Sequence, residues 1–198
     1  MTDRTQTVRP LLEVVEECLD EGLRAVQLRE KDLPLRGLLA LATPLRAATR
    51  RREASLVIND RVDVALAVGA DGVQRTHDSL PVSVLRAIGG PGLTVGASVH
   101  SLDEARAVAD EGADFIVFGP VFDTPSKRPY GPPQGIEALR QVAASVATPV
   151  LAIGGITPAG VPDVLAAGAA GVGVISAILA AARPGEATRA FLDALGRA

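Results

Sequence analysis

The sequence predicts an α/β protein folded as a closed (β/α)8 TIM barrel, a single domain over residues 1–198. Three observations lead there. Short apolar runs alternate with segments of helical period along the whole chain. The runs are apolar throughout, as strands covered on both faces of a parallel sheet must be. One helix-turn-strand pattern recurs four times, at intervals that hold two βα units each.

The strand-type runs are AVQLR (25–29), SLVIN (55–59), a weaker GV at 72–73, LTVGAS (93–98), FIVFG (115–119), PVLAIGG (149–155) and GVGVIS (171–176). Between them lie helical stretches such as LLEVVEECLDEG, LRGLLALATPLRAATRR and SLDEARAVADEG. Strict alternation implies parallel strands with right-handed crossovers. The recurring pattern is EGLRAVQLR, VGADGVQRT, EGADFIVFG and AGAAGVGVIS, whose glycines Gly22, Gly69, Gly112 and Gly168 stand 47, 43 and 56 residues apart. Each ends a helix, where a left-handed residue is needed. Four recurrences at two-unit intervals fit an eight-stranded closure.

By this count the first strand is truncated or very short, because only MTDR precedes the first helix. Without it the strands on either side of the gap expose edges. The expectation is therefore coding sequence upstream, with an apolar run ending near Thr2 and Asp3.

Composition narrows the class. The chain is 47% hydrophobic but 3% aromatic, without Trp, so its core must be built from Ala, Val, Leu and Ile. The formal charge of −3 argues against a nucleic-acid partner, which usually requires a basic face. A lone Cys18 excludes an internal disulfide or a cysteine cluster, and its place on a stripe with Val14 and Val15 reads as a buried thiol. No apolar run approaches the ~20 residues of a membrane span. The polar start MTDRTQTVRP is no signal peptide, so a cytoplasmic location without membrane partners is expected. Self-association is left open.

In a barrel the loops after the strand C-termini form the active site. After the run at 25–29, Gln27 and Arg29 share the face that points into the mouth. Arg29 offers a planar fork and Lys31 a point charge, both suited to phosphate oxygens. The alternative is a solvated charge cluster. After 55–59, Asn59 and Asp60 pair an amide with a carboxylate, a set that can hold Mg²⁺; alternatively Asp60 caps a helix starting at Arg61. Ser98 and His100 follow the run at 93–98, where the histidine is either an acid–base group or a packed one. The long loop from Pro120 brings Thr124, Ser126 and Lys127 within four positions, a phosphate clamp in a loop length that is usually functional. Finally, Gly154-Gly155 and then Ile175-Ser176, the last at a helix start, occupy the common phosphate site of barrels.

On these residues the chain resembles the thiamine phosphate synthase and thiazole tautomerase (TenI-like) family over nearly its whole length. The matching stretches are VQLREKDL, VINDRVDVAL, ADGVQ, GASVHSLDEA, GADFIVFGPVFDTPSK, PVLAIGGIT and AGAAGVGVISAI. The resemblance implies a synthase that joins a hydroxymethylpyrimidine diphosphate to a thiazole phosphate and releases pyrophosphate. It implies that Gln27, Arg29, Lys31, Asn59 and Lys127 meet the pyrimidine diphosphate, with Ser98 near its ring. Thr124, Ser126, Gly155, Ile175 and Ser176 would hold the thiazole phosphate, and Asp60 matches a Mg²⁺ ligand. Synthases of the family carry His-x-Gly-Gln-(Asp/Glu)-Asp where this chain reads Gln74-Arg75-Thr76-His77-Asp78-Ser79. Ser79 thus stands where a second metal ligand is expected, and Asp78 substitutes only if the loop shifts. The best-known tautomerases have a histidine where this chain has Pro120, as synthases do. Two other readings stay open: a tautomerase shuttling protons through His77 or His100, and a catalytically silent thiamine-precursor binder.

Overall fold

Among the described residues, seven strands form one sheet in chain order, every neighbouring pair parallel. The computed structural model describes residues 1–124 and 132–196. The strands are β1 (Ala25–Leu28), β2 (Ser55–Asn59), β3 (Gly72–Arg75), β4 (Thr94–Val99), β5 (Phe115–Phe118), β6 (Val150–Ile153) and β7 (Gly171–Gly173). Around them run α1 (Leu11–Asp20), α2 (Leu35–Arg51), α3 (Val62–Val68), α4 (Val82–Gly89), α5 (Leu102–Asp110), α6 (Gly135–Ser145), α7 (Val161–Ala166), α8 (Ser176–Leu179) and α9 (Pro184–Ala194). The weak GV run is a full strand of four residues, and the run expected at 171–176 pairs only over its first three.

The four recurring glycines share one geometry. Gly22, Gly69, Gly112 and Gly168 all have positive φ. In each, the glycine N–H reaches the carbonyl three residues back, and the next N–H reaches the one five back, as in Gly112 N to Ala109 O and Ala113 N to Val108 O, both 3.0 Å. This double bond closes the helix C-terminus and turns the chain into the next strand. A Cβ at Gly112 meets nothing within 4 Å, so only its φ of +87 resists substitution. Gly112→Ala is therefore expected to cost about 1–2 kcal/mol in urea unfolding, the left-handed penalty alone. A neutral result would mean that the turn relaxes freely.

The expectation of a complete eight-strand barrel is corrected. The sheet is curled and seven-stranded, and β1 and β7 do not pair. The ten residues before α1 are mostly polar, and Arg4–Gln6 wind into a 3-10 turn capped by the Asp3 side chain. Among the described residues, Met1 and Thr2 reach between the two edges. The Met1 ammonium donates to Val174 O at 3.1 Å, Thr2 N–H donates to Gln27 O at 2.8 Å, and Arg29 N–H donates to Thr2 Oγ1 at 2.9 Å. Beneath them an apolar cavity of ≈ 170 Å³ opens among Val15, Cys18, Val57, Phe115, Leu151 and Val172. Cys18 is buried there as its stripe implies, and burial pushes its thiol pKa up.

At the opposite, N-terminal rim the repeat carries a second device. Asp71 accepts two bonds from Arg46 and one from Leu56 N–H at the start of β2. Asp114 takes Arg86 and Val95 N–H in the same way at the start of β4. Each aspartate stands two residues after a repeat glycine, so it ties a helix and a strand start to the turn that follows. Among the described residues no helix is long and apolar enough to cross a membrane.

Candidate active site

The parallel strands end together on one rim, and the strand-end side chains there form three short polar links. Gln27 Nε2 donates to Asn59 Oδ1 at 3.1 Å, joining β1 to β2. Gln74 Nε2 donates to Ser98 Oγ at 2.9 Å, joining β3 to β4. Ser79 Oγ donates to Asp60 Oδ1 at 2.5 Å and accepts from Thr76 N–H at 2.8 Å, joining the turns after β2 and β3. The inward faces of four adjacent strands thus present amides and hydroxyls, as period-two alternation from Gln27 predicts.

The charges in the segment after β1 are sorted. Glu30 is buried, and its carboxylate accepts from Arg4 N–H and from the Arg4 guanidinium. Asp32 takes the same guanidinium through two bonds of 2.6 Å. Arg29, half-buried, and Lys31, exposed, make no side-chain hydrogen bond or ion pair among the described residues. Arg4 is shared by both local acids, so three cations (Arg4, Arg29 and Lys31) stand against two carboxylates, and Arg29 and Lys31 remain outside any ion pair at the mouth among the described residues. A small excess of positive charge of this kind suits an anion site.

Asp60 is not a helix cap. The N-cap of α3 is Arg61, which makes no side-chain cap bond and pairs with Asp63 instead. Asp60 itself has φ +65, and its N–H donates to Gln74 O at 2.9 Å. A non-glycine residue held in the left-handed region at a strand end is uncommon, and such residues gather at functional sites. Asp78 is exposed and makes no hydrogen bond among the described residues, whereas Ser79 faces Asp60. The loop has not shifted to bring Asp78 in. Among the described residues no group of three His, Cys, Asp or Glu side chains gathers to hold a metal. A lone carboxylate with a hydroxyl beside it still suits Mg²⁺, which keeps several waters and shares substrate phosphates.

On the far side of the mouth the turn after β6 carries Gly154 and Gly155, with φ +100 and +64. A Cβ at Gly155 would stand 2.6 Å from Asp123 O and 2.8 Å from Phe122 Cβ. The glycines therefore admit the protein's own loop, whose Val121 and Phe122 N–H groups donate to Ile153 O and Gly154 O. That close fit seats Thr124, bonded to Phe122 O at 3.1 Å, beside the β6 turn. Ile175 precedes α8, which starts at Ser176. Met1, bound to Val174 O, and Thr2, bound to Gln27 and Arg29, link this loop to β1. Ser126 and Lys127 lie outside the described residues.

The histidines separate. His77 is exposed without hydrogen bonds among the described residues. His100 is pinned by Nδ1–H donation to Gly119 O at 2.5 Å and by its backbone N–H to Glu104. The sequence reading passed over Gln74 and Glu30. Gln74 was open to detection, since GVQR puts a polar residue at the same inward position as Asn59 and Ser98. Glu30 was not, because its partner Arg4 lies across a gap of 26 residues.

An α/β protein of barrel type, with amide, hydroxyl and cationic side chains at the C-terminal ends of its strands, is the class these features define. The thiamine monophosphate synthase family matches residues 1–178. A relative from Geobacter sulfurreducens, provisionally assigned as a thiamine-phosphate synthase, is 52% identical over 98% of this chain and 92% of its own. The thiamine-phosphate synthase of Roseiflexus castenholzii is 45% identical over 98% of this chain and 85% of its own. Among solved structures, a thiamine phosphate pyrophosphorylase from Pyrococcus furiosus superposes with a TM-score of 0.90 at 40% identity, covering 98% of this chain and 93% of that one. This chain belongs to the thiamine monophosphate synthase family.

Proposed function

We propose that this chain is a thiamine-phosphate synthase, a transferase that joins hydroxymethylpyrimidine diphosphate to thiazole phosphate with release of pyrophosphate. The relatives named for that activity span nearly the whole chain. The observation that carries the reading at the site is the pair of cations outside any ion pair among the described residues, Arg29 and Lys31, beside the amide row of Gln27 and Asn59. In the reaction the bond between the pyrimidine methylene carbon and the diphosphate oxygen breaks, its electron pair leaving with pyrophosphate. The thiazole nitrogen then supplies the pair for the new C–N bond. Arg29, Lys31 and, from the loop outside the described residues, Lys127 neutralise the departing charge, which lowers the barrier most where water is excluded. Gln27, Asn59 and Ser98 hold the pyrimidine. Thr124, Ser126, Gly155, Ile175 and Ser176 hold the thiazole phosphate so that its nitrogen faces the reacting carbon. Asp60 would hold a Mg²⁺ that adds positive charge at the diphosphate. No general base is required, which agrees with His100 being pinned to a carbonyl. A cytoplasmic site of action goes with this reading.

The test is turnover of the wild-type protein with both substrates and Mg²⁺, followed as pyrophosphate release. Formation of thiamine phosphate is expected. Proton exchange on the thiazole substrate without coupling would instead assign a tautomerase, and binding without either reaction would assign a silent binder.

A further inference from the structure

The polar row contains one residue to which the reaction as drawn gives no task. Gln74, in β3, is fully buried. That is rare for a side chain whose amide has both a donor and an acceptor end. Its Nε2 donates to Ser98 Oγ at 2.9 Å, and its Oε1 has no hydrogen-bond partner among the described residues. Turning the carboxamide over would only change which end is stranded. A buried polar atom without a partner lowers stability, and a methionine of similar length would avoid the loss. The neighbouring strand makes room for this amide, since a Cβ at Gly96 would overlap both Gln74 Oε1 and the Phe115 ring. The Gln74 carbonyl also accepts the Asp60 N–H at 2.9 Å. A local rule broken without structural gain, directly under a ligand mouth, points to function.

We propose that Gln74 is a positioning residue for the pyrimidine substrate, acting through Ser98. Its N–H occupies a lone pair of Ser98 Oγ and fixes the rotor, so the Ser98 O–H is presented to an acceptor on the ring above. The companion link has matching polarity. With Gln27 Nε2 given to Asn59 Oδ1, Gln27 Oε1 is left to accept and Asn59 Nδ2 to donate. A donor at Ser98 and an acceptor at Gln27 suit an amino-substituted nitrogen heterocycle, which carries a ring acceptor and an exocyclic donor. The inference rests on the synthase reading and adds to it the residue that orients the ring.

The experiment compares wild type, Gln74→Met, Ser98→Ala and the double variant. KM is measured for each substrate, with kcat, the inhibition constant of inorganic pyrophosphate, and Tm. Gln74→Met should keep or raise Tm while raising KM for the pyrimidine diphosphate about tenfold, the scale of one lost hydrogen bond. The KM for thiazole phosphate and inhibition by pyrophosphate should not move, because neither ligand presents the pyrimidine ring. In the Ser98→Ala background Gln74→Met should add nothing further, since both changes remove the same contact. A Tm several degrees lower with unchanged KM would show a purely structural Gln74 and overturn the proposal. So would a full, additive KM effect in the Ser98→Ala background. A wild type that makes no thiamine phosphate overturns the synthase reading and this proposal together; an active wild type with an indifferent Gln74→Met overturns this proposal alone.

Discussion

Asp71→Ala is expected to lower the unfolding free energy by about 3 kcal/mol, while the surviving folded protein keeps its turnover. The Asp71 carboxylate receives both Arg46 amino groups, at 2.5 and 2.9 Å, and Leu56 N–H at 2.7 Å. Arg46 is the more buried partner, with a side-chain exposure of 12% against 38% for Asp71. Its Nε is already buried without a partner among the described residues. Removing the carboxylate therefore strands a largely desolvated cation together with a strand-start amide. Breaking a buried pair from one side costs about 3–5 kcal/mol, and the partial exposure of Asp71 places this case at the lower end. The lesion lies at the N-terminal rim, where barrel residues serve stability, whereas the ligand groups crowd the opposite rim. Urea unfolding read by circular dichroism, with KM measured on the folded fraction, checks both halves. A loss under ~1 kcal/mol would mean that water reaches Arg46 freely.

How much of this was legible beforehand depends on the range of the physics involved. The βα alternation, the four glycine turns and the buried Cys18 follow from local rules, and the structure has them. The glycines were readable because a helix stop of that kind needs a left-handed residue whatever lies around it. Asp71 and Asp114 sit inside the same repeat, yet their task was hidden, since their arginines lie 25 and 28 residues away. The open seam between β1 and β7 was only half legible. The missing apolar run showed in the sequence; the way Met1 and Thr2 occupy the rim of that gap did not, because it depends on edges brought together by the whole sheet. At the site, reading the strand ends put Gln27, Asn59 and Ser98 on one rim, where the structure has the Gln27–Asn59 and Gln74–Ser98 links. It could not show that Glu30 turns away to Arg4, leaving Arg29 and Lys31 outside any ion pair among the described residues. Nor could it decide between a capping Asp60 and a ligand Asp60, because one residue of loop phase separates the two. The structure decides against the cap.

Asp60→Asn is expected to reduce turnover on the order of a hundredfold or more while leaving stability within about 0.5 kcal/mol of wild type. Asparagine tolerates the left-handed conformation that Asp60 adopts at φ +65. Its side-chain oxygen can still accept the Ser79 hydroxyl, now 2.5 Å from Asp60 Oδ1. The substitution thus removes the negative charge and keeps the local geometry. Asp60→Gly separates the same effects from the other side. Glycine relieves the backbone at φ +65 but loses the Ser79 bond, two changes of about 1 kcal/mol with opposite sign, so stability stays near wild type and turnover still falls. Ser79→Asp supplies the complementary change. Two carboxylates would then face each other where a hydroxyl now donates to one, so without metal they repel and Tm should fall in a chelator. Added Mg²⁺ should restore Tm and raise it further, since a cation that binds only the folded state stabilises it by mass action. Calorimetric melting with and without Mg²⁺, beside pyrophosphate release by each variant, reads both effects. Full activity in Asp60→Asn, together with a Ser79→Asp melting curve indifferent to Mg²⁺, would mean that no metal works at Asp60. The departing pyrophosphate would then be neutralised by Arg29, Lys31 and Lys127 alone.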